Sequence, residues 1–453
     1  MKKLFWLVLV CVMTWPVVAS AGYTLRINID TFDTIIVPRG NGMKKPIAPY
    51  SGTYPSRDHF GQFIIVQNTG SNLTYLMRAI DTTASTNQFW EIVNTDATAP
   101  CVNAQWCLRV TFNGVFPGFS QDGFCCDLDW KIPAAAYKTW ASQQAWYRSH
   151  GKIATNQLAH VESCATNAYT YFNSTLKPVI TAFGNLGSKR VGCFITQYRT
   201  NLFDVNYPNY TCSTLANCKA WWQSLKDTGN GFALPYINAG VWDSIEPNYN
   251  AANTCKDAGG NPVSYGATSM RLIDPKLSTW PQTLYDAWAA NTATDGSLSE
   301  GIYLDYGTAA ANTCYYSGVA DQTAWITGIK AVLAKFTNQI IMAEGVSEPY
   351  IPYVDINYLY PPLTDDPTMI GLYGYIYGGI PGYHIVGVDT ANEETPLSCY
   401  GRNYRARTEF NHSATLYSSG FACDLLLAKE DFLLRQNYFW NDTVQCENRT
   451  VRY

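Results

Sequence analysis

From Tyr23 to about Trp130, apolar and polar residues alternate in short runs: Thr24 to Ile29 (TLRINI), Gln62 to Val66 (QFIIV), Leu73 to Ala79 (LTYLMRA) and Leu108 to Phe112 (LRVTF). Gly, Asn, Asp and Pro separate them. A period of two buries one face of a strand and leaves the other wet, so these runs predict β-strands. Helical spacing is nearly absent, and the region is expected to form an antiparallel β-sandwich.

The pattern changes at Ile132. Residues 132–149 carry Ala135, Ala136, Trp140 and Trp146 at near-helical spacing, with Pro133 in the first turn. Strand-like and helix-like stretches then alternate. Arg190 to Tyr198, Gly231 to Trp242, Gly301 to Tyr306 (GIYLDY), Ile340 to Gly345 (IIMAEG), Tyr353 to Tyr360 and Gly382 to Val388 read as strands. Ala216 to Asp227, Trp280 to Ala290, Asp321 to Phe336 and Ser418 to Trp440 read as helices. Continuous apolar strands between helices are buried on both faces, as in a parallel sheet. Repeated units of this length predict a (β/α)8 TIM barrel over residues 131–453, after a β-sandwich domain over 22–130. An open doubly wound sheet is the alternative, but no GxGxxG or Walker pattern accompanies it. Residues 244–271 depart from the unit as a long polar loop, of the kind that walls a cleft at strand ends.

Residues 1–21 read as a secretory signal: Lys2 and Lys3, an apolar run broken by Pro16, and small residues at Ala19-Ser20-Ala21. A secreted, extracellular protein is therefore expected. Of 14 Cys, Cys11 lies in this leader, so an odd number remains. Disulfides are expected, with one thiol left for an intermolecular bridge or self-association. Cys101/Cys107 and Cys212/Cys218 are close enough to staple their own loops, and Cys399/Cys423 to tie the last segments. The adjacent Cys125 and Cys126 are expected to pair elsewhere. Sequons at Asn72, Asn173, Asn209, Asn411, Asn441 and Asn448 mark N-glycan acceptors.

The net charge of −4 and the absence of a basic stripe argue against nucleic acid or an anionic membrane as partner. Five His and unsuitable Cys spacings argue against a metal, and no cofactor motif is present. GxSxG and HExxH are both missing. The 14 Trp and 32 Tyr serve a core or Tyr-rich loops first, and sugar stacking second.

Two strands end in carboxylates: Asp305 in GIYLDY and Glu344 in IIMAEG. The carboxyl ends of barrel strands open into one site, and two acids there are the equipment of a glycoside hydrolase. Tyr306 is placed to donate to Asp305 and keep it ionised, as a nucleophile requires. The apolar run before Glu344 raises its pKa, as a proton donor requires. The structural alternative for each is a loop cap or an ion pair. Glu348 is a rival donor. Tyr198, Arg199, Tyr236, Asn238, Trp242 and Asp243, at other strand ends, are candidate sugar contacts. For each of them, and for Asp274, Asp355 and His384, a loop cap or core polar role is at least as ordinary.

With these residues in place the chain resembles a known group. The stretch Asp129-Trp130, Ala136-Tyr137, Trp140-Ala141 and Gln144-Ala145-Trp146, then YIN…W, GIYLDY and AEGVSEPY…VD, looks like the TIM-barrel proteins related to endo-α-N-acetylgalactosaminidases. These belong to the wider group of α-amylase-like retaining glycosidases. The resemblance covers residues 130–390. It implies that the fourth-strand acid, Asp305, is the nucleophile and the fifth-strand acid, Glu344, the acid/base. Asp389 is the nearest match to the third acid of such sites. The expected function is retaining hydrolysis of an α-linked sugar in a polysaccharide or glycoprotein. The competing reading is a non-catalytic extracellular glycoprotein, carbohydrate-binding or structural (a matrix or filament subunit), on a hydrolase scaffold. A third, a lectin-like receptor, would carry its aromatics on the sandwich.

Overall fold

The computed structural model describes residues 22–153 (except 41, 95 and 127), 158–164, 189–195, 207–208, 215–359 with short gaps, 372–389 and 408–411. The leader and the C-terminal helix expected at 418–440 lie outside these residues, as do Tyr198, Arg199, Cys212, Cys399, Cys423 and the sequons at Asn173, Asn209, Asn441 and Asn448.

Nine strands come first: β1 (Tyr23–Asn28), β2 (Thr34–Val37), β3 (Met43–Pro46), β4 (Tyr50–Tyr54), β5 (Phe63–Asn68), β6 (Leu73–Ala79), β7 (Asn87–Val93), β8 (Cys107–Asn113) and β9 (Phe119–Cys125). They form two antiparallel sheets, ordered β1-β8-β7-β4 and β3-β2-β5-β6-β9. β7 and β8 alternate buried and half-buried positions, as a strand with one covered face must. Strands β3 (MKKP) and β9 (FSQDGFC) lack that pattern; cross-strand pairing holds them, not local apolar content.

The remaining strands are β10 (Leu158–Cys164), β11 (Lys189–Ile195), β12 (Gly231–Asn238), β13 (Val241–Asp243), β14 (Met270–Leu272), β15 (Gly301–Asp305), β16 (Cys314–Tyr316), β17 (Val319–Asp321), β18 (Ile340–Glu344), β19 (Ile356–Leu359), β20 (His384–Asp389) and β21 (Thr408–Asn411). Eight of them close on themselves in the order β10-β11-β12-β15-β18-β19-β20-β21, every neighbour parallel. The protein is thus mixed α/β, with antiparallel sheets before a parallel barrel. Described helices are α1 (Lys131–Ala141), α2 (Leu215–Lys226), α3 (Trp280–Asp295), α4 (Thr323–Leu333) and the short α5 (Leu372–Tyr377), which are only part of a full outer ring.

The differences from expectation have local causes. α1 stops at Ala141 rather than continuing to 149. Gly231 to Trp242 is two strands, because the chain turns at Ala239-Gly240, where the Gly240 N–H donates to Asn238 Oδ1. A side chain at Gly240 would meet the Trp325 ring at 2.4 Å, so glycine is required there. α4 buries Trp325, Ile326, Ile329, Val332 and Leu333 at helical spacing, and Asp321 caps its start by accepting from Ala324 N–H. One continuous apolar core runs from the sheets into the barrel.

Candidate active site

β15 and β18 are the fourth and fifth barrel strands. Their register pairs Leu304 with Ala343, so Asp305 and Glu344 stand side by side at the carboxyl ends. Residues two apart share a face of a strand. Tyr303 and Asp305 therefore point inward together, and so do Met342 and Glu344, while Ile302 and Leu304 face the outer layer. After each acid the chain swings away in a left-handed conformation, at Tyr306 (φ +63°) and Gly345 (φ +54°). Such a φ is costly for tyrosine. The Tyr306 ring is held 4.3 Å from that of Tyr265, and its hydroxyl donates to Asn312 Oδ1 at 3.1 Å.

A tyrosine serves each acid. Tyr236 Oη donates to Asp305 Oδ2 at 2.6 Å, and Tyr303 Oη donates to Glu344 Oε1. Burial pushes the Glu344 carboxyl well above the usual range; the charge of Asp305 and a hydrogen bond between the two acids push it further. The Tyr303 hydrogen bond and the positive charge of Arg57 oppose this without reversing it. The two acids thus sit at adjoining strand ends, the positions from which a nucleophile and a proton donor can flank a glycosidic bond. The arrangement offers a raised, proton-holding carboxyl on Glu344 beside Asp305, each oriented by a phenol.

Glu344 opens into a cleft of about 380 Å³, within the usual range for small-molecule sites. One wall belongs to the barrel, with Tyr306 and Glu344. The other belongs to the antiparallel sheets, with Ser51, Thr53, Arg57 and Phe89. Sequence reasoning missed this second wall, because nothing local in residues 51–58 records what they face.

The family model for a domain of unknown function, DUF6259, matches residues 125–379, more than half of the chain. The chain belongs to the DUF6259 family. No curated protein matches it. Among solved structures it is similar to the ligand-free α-N-acetylgalactosaminidase NagBb of Bifidobacterium bifidum: 11% identity, TM-score 0.66, 89% of this chain and 75% of that one. The GalNAc complex of NagBb gives 10%, 0.66, 90% and 74%. The GH36 α-galactosidase AgaB of Geobacillus stearothermophilus gives 11%, 0.59, 92% and 62%. At these identities the likeness is one of fold.

The other candidates in this DUF6259 chain scatter. Tyr236 lies at the pair, as above. Tyr306 lines the cleft, but it donates to Asn312 and not to Asp305. Asn238 and Asp243 are fully buried. The Asn238 amide shapes the turn to Gly240, and the Asp243 carboxylate accepts from Ile245 N–H at 3.2 Å. Trp242 is 6% exposed and packs on Trp280 and Tyr249, so it is core and not a sugar platform. Asp389 ends β20 opposite Phe410; its side chain lies outside the described set. Asp355 is buried and accepts from Lys152 N–H and Ile341 N–H, and Asp274 accepts from Tyr316 Oη.

Glu348 requires a correction. It is fully buried in the 3-10 turn after β18, and four donors occupy its carboxylate: Tyr54 Oη at 2.9 Å, Gln62 Nε2 at 3.0 Å, Tyr137 Oη at 2.5 Å and Tyr377 Oη at 2.6 Å. They come from the sheets, α1 and α5, so Glu348 ties those elements to the barrel and does not meet substrate. Burial raises its pKa to about 7 against the pull of all four hydrogen bonds.

Cys101 pairs with Cys107, and Cys218 is disulfide-bonded. The bond from Cys255 to Cys314, across 59 residues, was not legible from spacing. Cys125 and Cys126, expected to pair elsewhere, are free and exposed. No helix among the described residues is long and apolar enough to cross a membrane.

Proposed function

We propose that this protein is a secreted α-glycosidase that works by a retaining, two-step mechanism. The observation that carries the reading is the side-by-side placing of Asp305 and Glu344 at adjoining strand ends, with Glu344 lining a sugar-sized cleft. The fold shared with α-N-acetylgalactosaminidase NagBb and α-galactosidase AgaB supports the sugar class: an α-linked galactose or N-acetylgalactosamine.

A glycoside entering the site lies between the two acids. Glu344, kept protonated by burial and by its neighbour, gives its proton to the glycosidic oxygen as the bond to the anomeric carbon breaks. Asp305, aimed by the Tyr236 hydroxyl, closes on that carbon from the opposite face and forms a glycosyl ester. Glu344, now a carboxylate, takes a proton from water, which attacks the ester and releases the sugar with its original configuration. No cofactor or metal enters these steps.

We read residues 1–21 as a cleaved leader, 22–130 as the sheet domain and 131–453 as a complete (β/α)8 barrel. The exposed Asn72 is a glycan acceptor in this scheme.

The test is hydrolysis of aryl α-galactosides and α-N-acetylgalactosaminides by the purified chain, with the anomer of the first-formed product followed by NMR. Release of the α-anomer supports the proposal, and the β-anomer refutes retention. The burial of Glu344 favours one second reading, a non-catalytic glycan binder. That reading predicts saturable sugar binding with no turnover.

A further inference from the structure

The cleft beside Glu344 is built by two parts of the chain that lie far apart in sequence. Its barrel wall carries Glu344 but not Asp305. A proton donor touches the glycosidic oxygen, so space on its far side from the nucleophile belongs to the leaving group. That space is walled by β4, by the turn that follows it, and by Phe89 of β7, which pairs directly with Thr53 of β4.

The wall is held in place. The Arg57 N–H donates to Ala309 O, in the loop after β15, at 3.0 Å, and Arg57 O accepts from Gly40 N–H at 3.0 Å. Ser56 Oγ donates to Thr53 O at 2.6 Å and accepts from Asp58 N–H at 3.1 Å. A Cβ on Gly345, next to Glu344, would lie 2.8 Å from Arg57 Cβ, so the sheet turn presses directly on the acid's own loop. A half-buried aromatic ring, hydroxyls and a guanidinium around one hollow match a sugar, which has an apolar C–H face and a polar rim.

We propose that residues 51–58 and Phe89 of the antiparallel sheets form the subsite for the leaving group, which is itself a sugar: Phe89 stacks on the ring, and Arg57 binds its hydroxyls and positions the glycosidic oxygen against Glu344. This rests on the glycosidase reading. It adds that the sheet domain, and not the barrel, selects what the cleaved sugar is attached to.

The experiment compares two substrates of the sugar that the wild-type chain cleaves: an α-linked disaccharide, and the α-glycosyl fluoride, which has no leaving-group sugar. Arg57→Ala and Phe89→Ala are assayed on both in the full-length protein. The subsite predicts that each variant loses kcat/KM on the disaccharide by at least about tenfold more than on the fluoride. The loss for Phe89→Ala is expected mainly in KM. A smaller differential for both variants overturns the inference while leaving the glycosidase reading intact. Turnover of neither substrate by the wild-type chain refutes that reading itself. Thr53→Ala, a smaller change in the same wall, replaces any variant that does not fold.

Discussion

Tyr236, on the third barrel strand, donates a 2.6 Å hydrogen bond to Asp305 on the fourth. The same strand pair sets Tyr236 opposite Tyr303, whose own hydroxyl serves Glu344. Each acid therefore has a phenol of its own, and one layer of barrel side chains orients both.

Replacing Tyr236 by Phe removes one donor and little volume. A hydrogen bond to a charged group contributes about 1.5–3 kcal/mol, so kcat is expected to fall by roughly ten- to a hundred-fold with KM little changed. A rise in KM alone, with kcat unchanged, would show that Tyr236 serves binding and not the nucleophile. Asp305→Asn, by contrast, is expected to abolish turnover while preserving the thermal transition.

Glu344→Gln removes the proton that the first step needs. Its carboxyl is raised by burial and by Asp305, so the wild-type acid form persists to higher pH than an ordinary glutamate. The kcat/KM of wild type on a disaccharide is expected to fall as pH rises through that raised pKa. The variant is expected to lose this alkaline limb and to retain more activity on glycosyl fluorides, which need no proton, than on disaccharides.

Glu348 predicts a pH-dependent stability. Its folded pKa is about 7, above the ordinary 4.5 of a glutamate, so the folded state holds a proton that the unfolded state has lost in between. The associated stability is fully present below about pH 4.5 and is lost as pH rises toward 7, by about 3 kcal/mol at most. Chemical denaturation from pH 5 to pH 8 measures it, and Glu348→Gln is expected to flatten the profile. Glu348→Ala leaves three buried tyrosine hydroxyls without this acceptor and is expected to destabilise by about 3 kcal/mol or more.

The Cys255–Cys314 bond fastens the long loop after β13 to the hairpin that follows β15. Replacing both by Ser is expected to cost about 2–5 kcal/mol and to expose the loop to limited proteolysis. An unchanged melting temperature would show that neighbouring packing already holds the loop.

Much of the barrel was legible because its strands are short, continuous apolar runs. GIYLD and IIMAE are buried almost throughout, and each run ends where its carboxylate emerges. Their neighbourhood followed from strand alternation alone. The sheet wall was not legible: Arg57 reads as an ordinary turn residue and Phe89 as an ordinary strand residue until the barrel closes against them. The fate of Glu348 was hidden for a related reason. An acid near a strand end looks reactive, but Tyr54, which helps to occupy its oxygens, lies 294 residues away. Trp242 misled in the opposite sense, since a strand-end aromatic reads alike whether it faces sugar or Trp280. The polar strands β3 and β9 carry no apolar period and exist only through their partners.

Covalent trapping addresses the nucleophile directly. The full-length protein is incubated with a 5-fluoro-α-galactosyl fluoride or its N-acetylgalactosamine counterpart, which slows release of the glycosyl ester, and then read by intact mass and peptide mapping. The account predicts one added glycosyl group on the peptide that carries Asp305, absent in Asp305→Asn. An adduct on any other residue, or none on a protein that turns these sugars over, would contradict it.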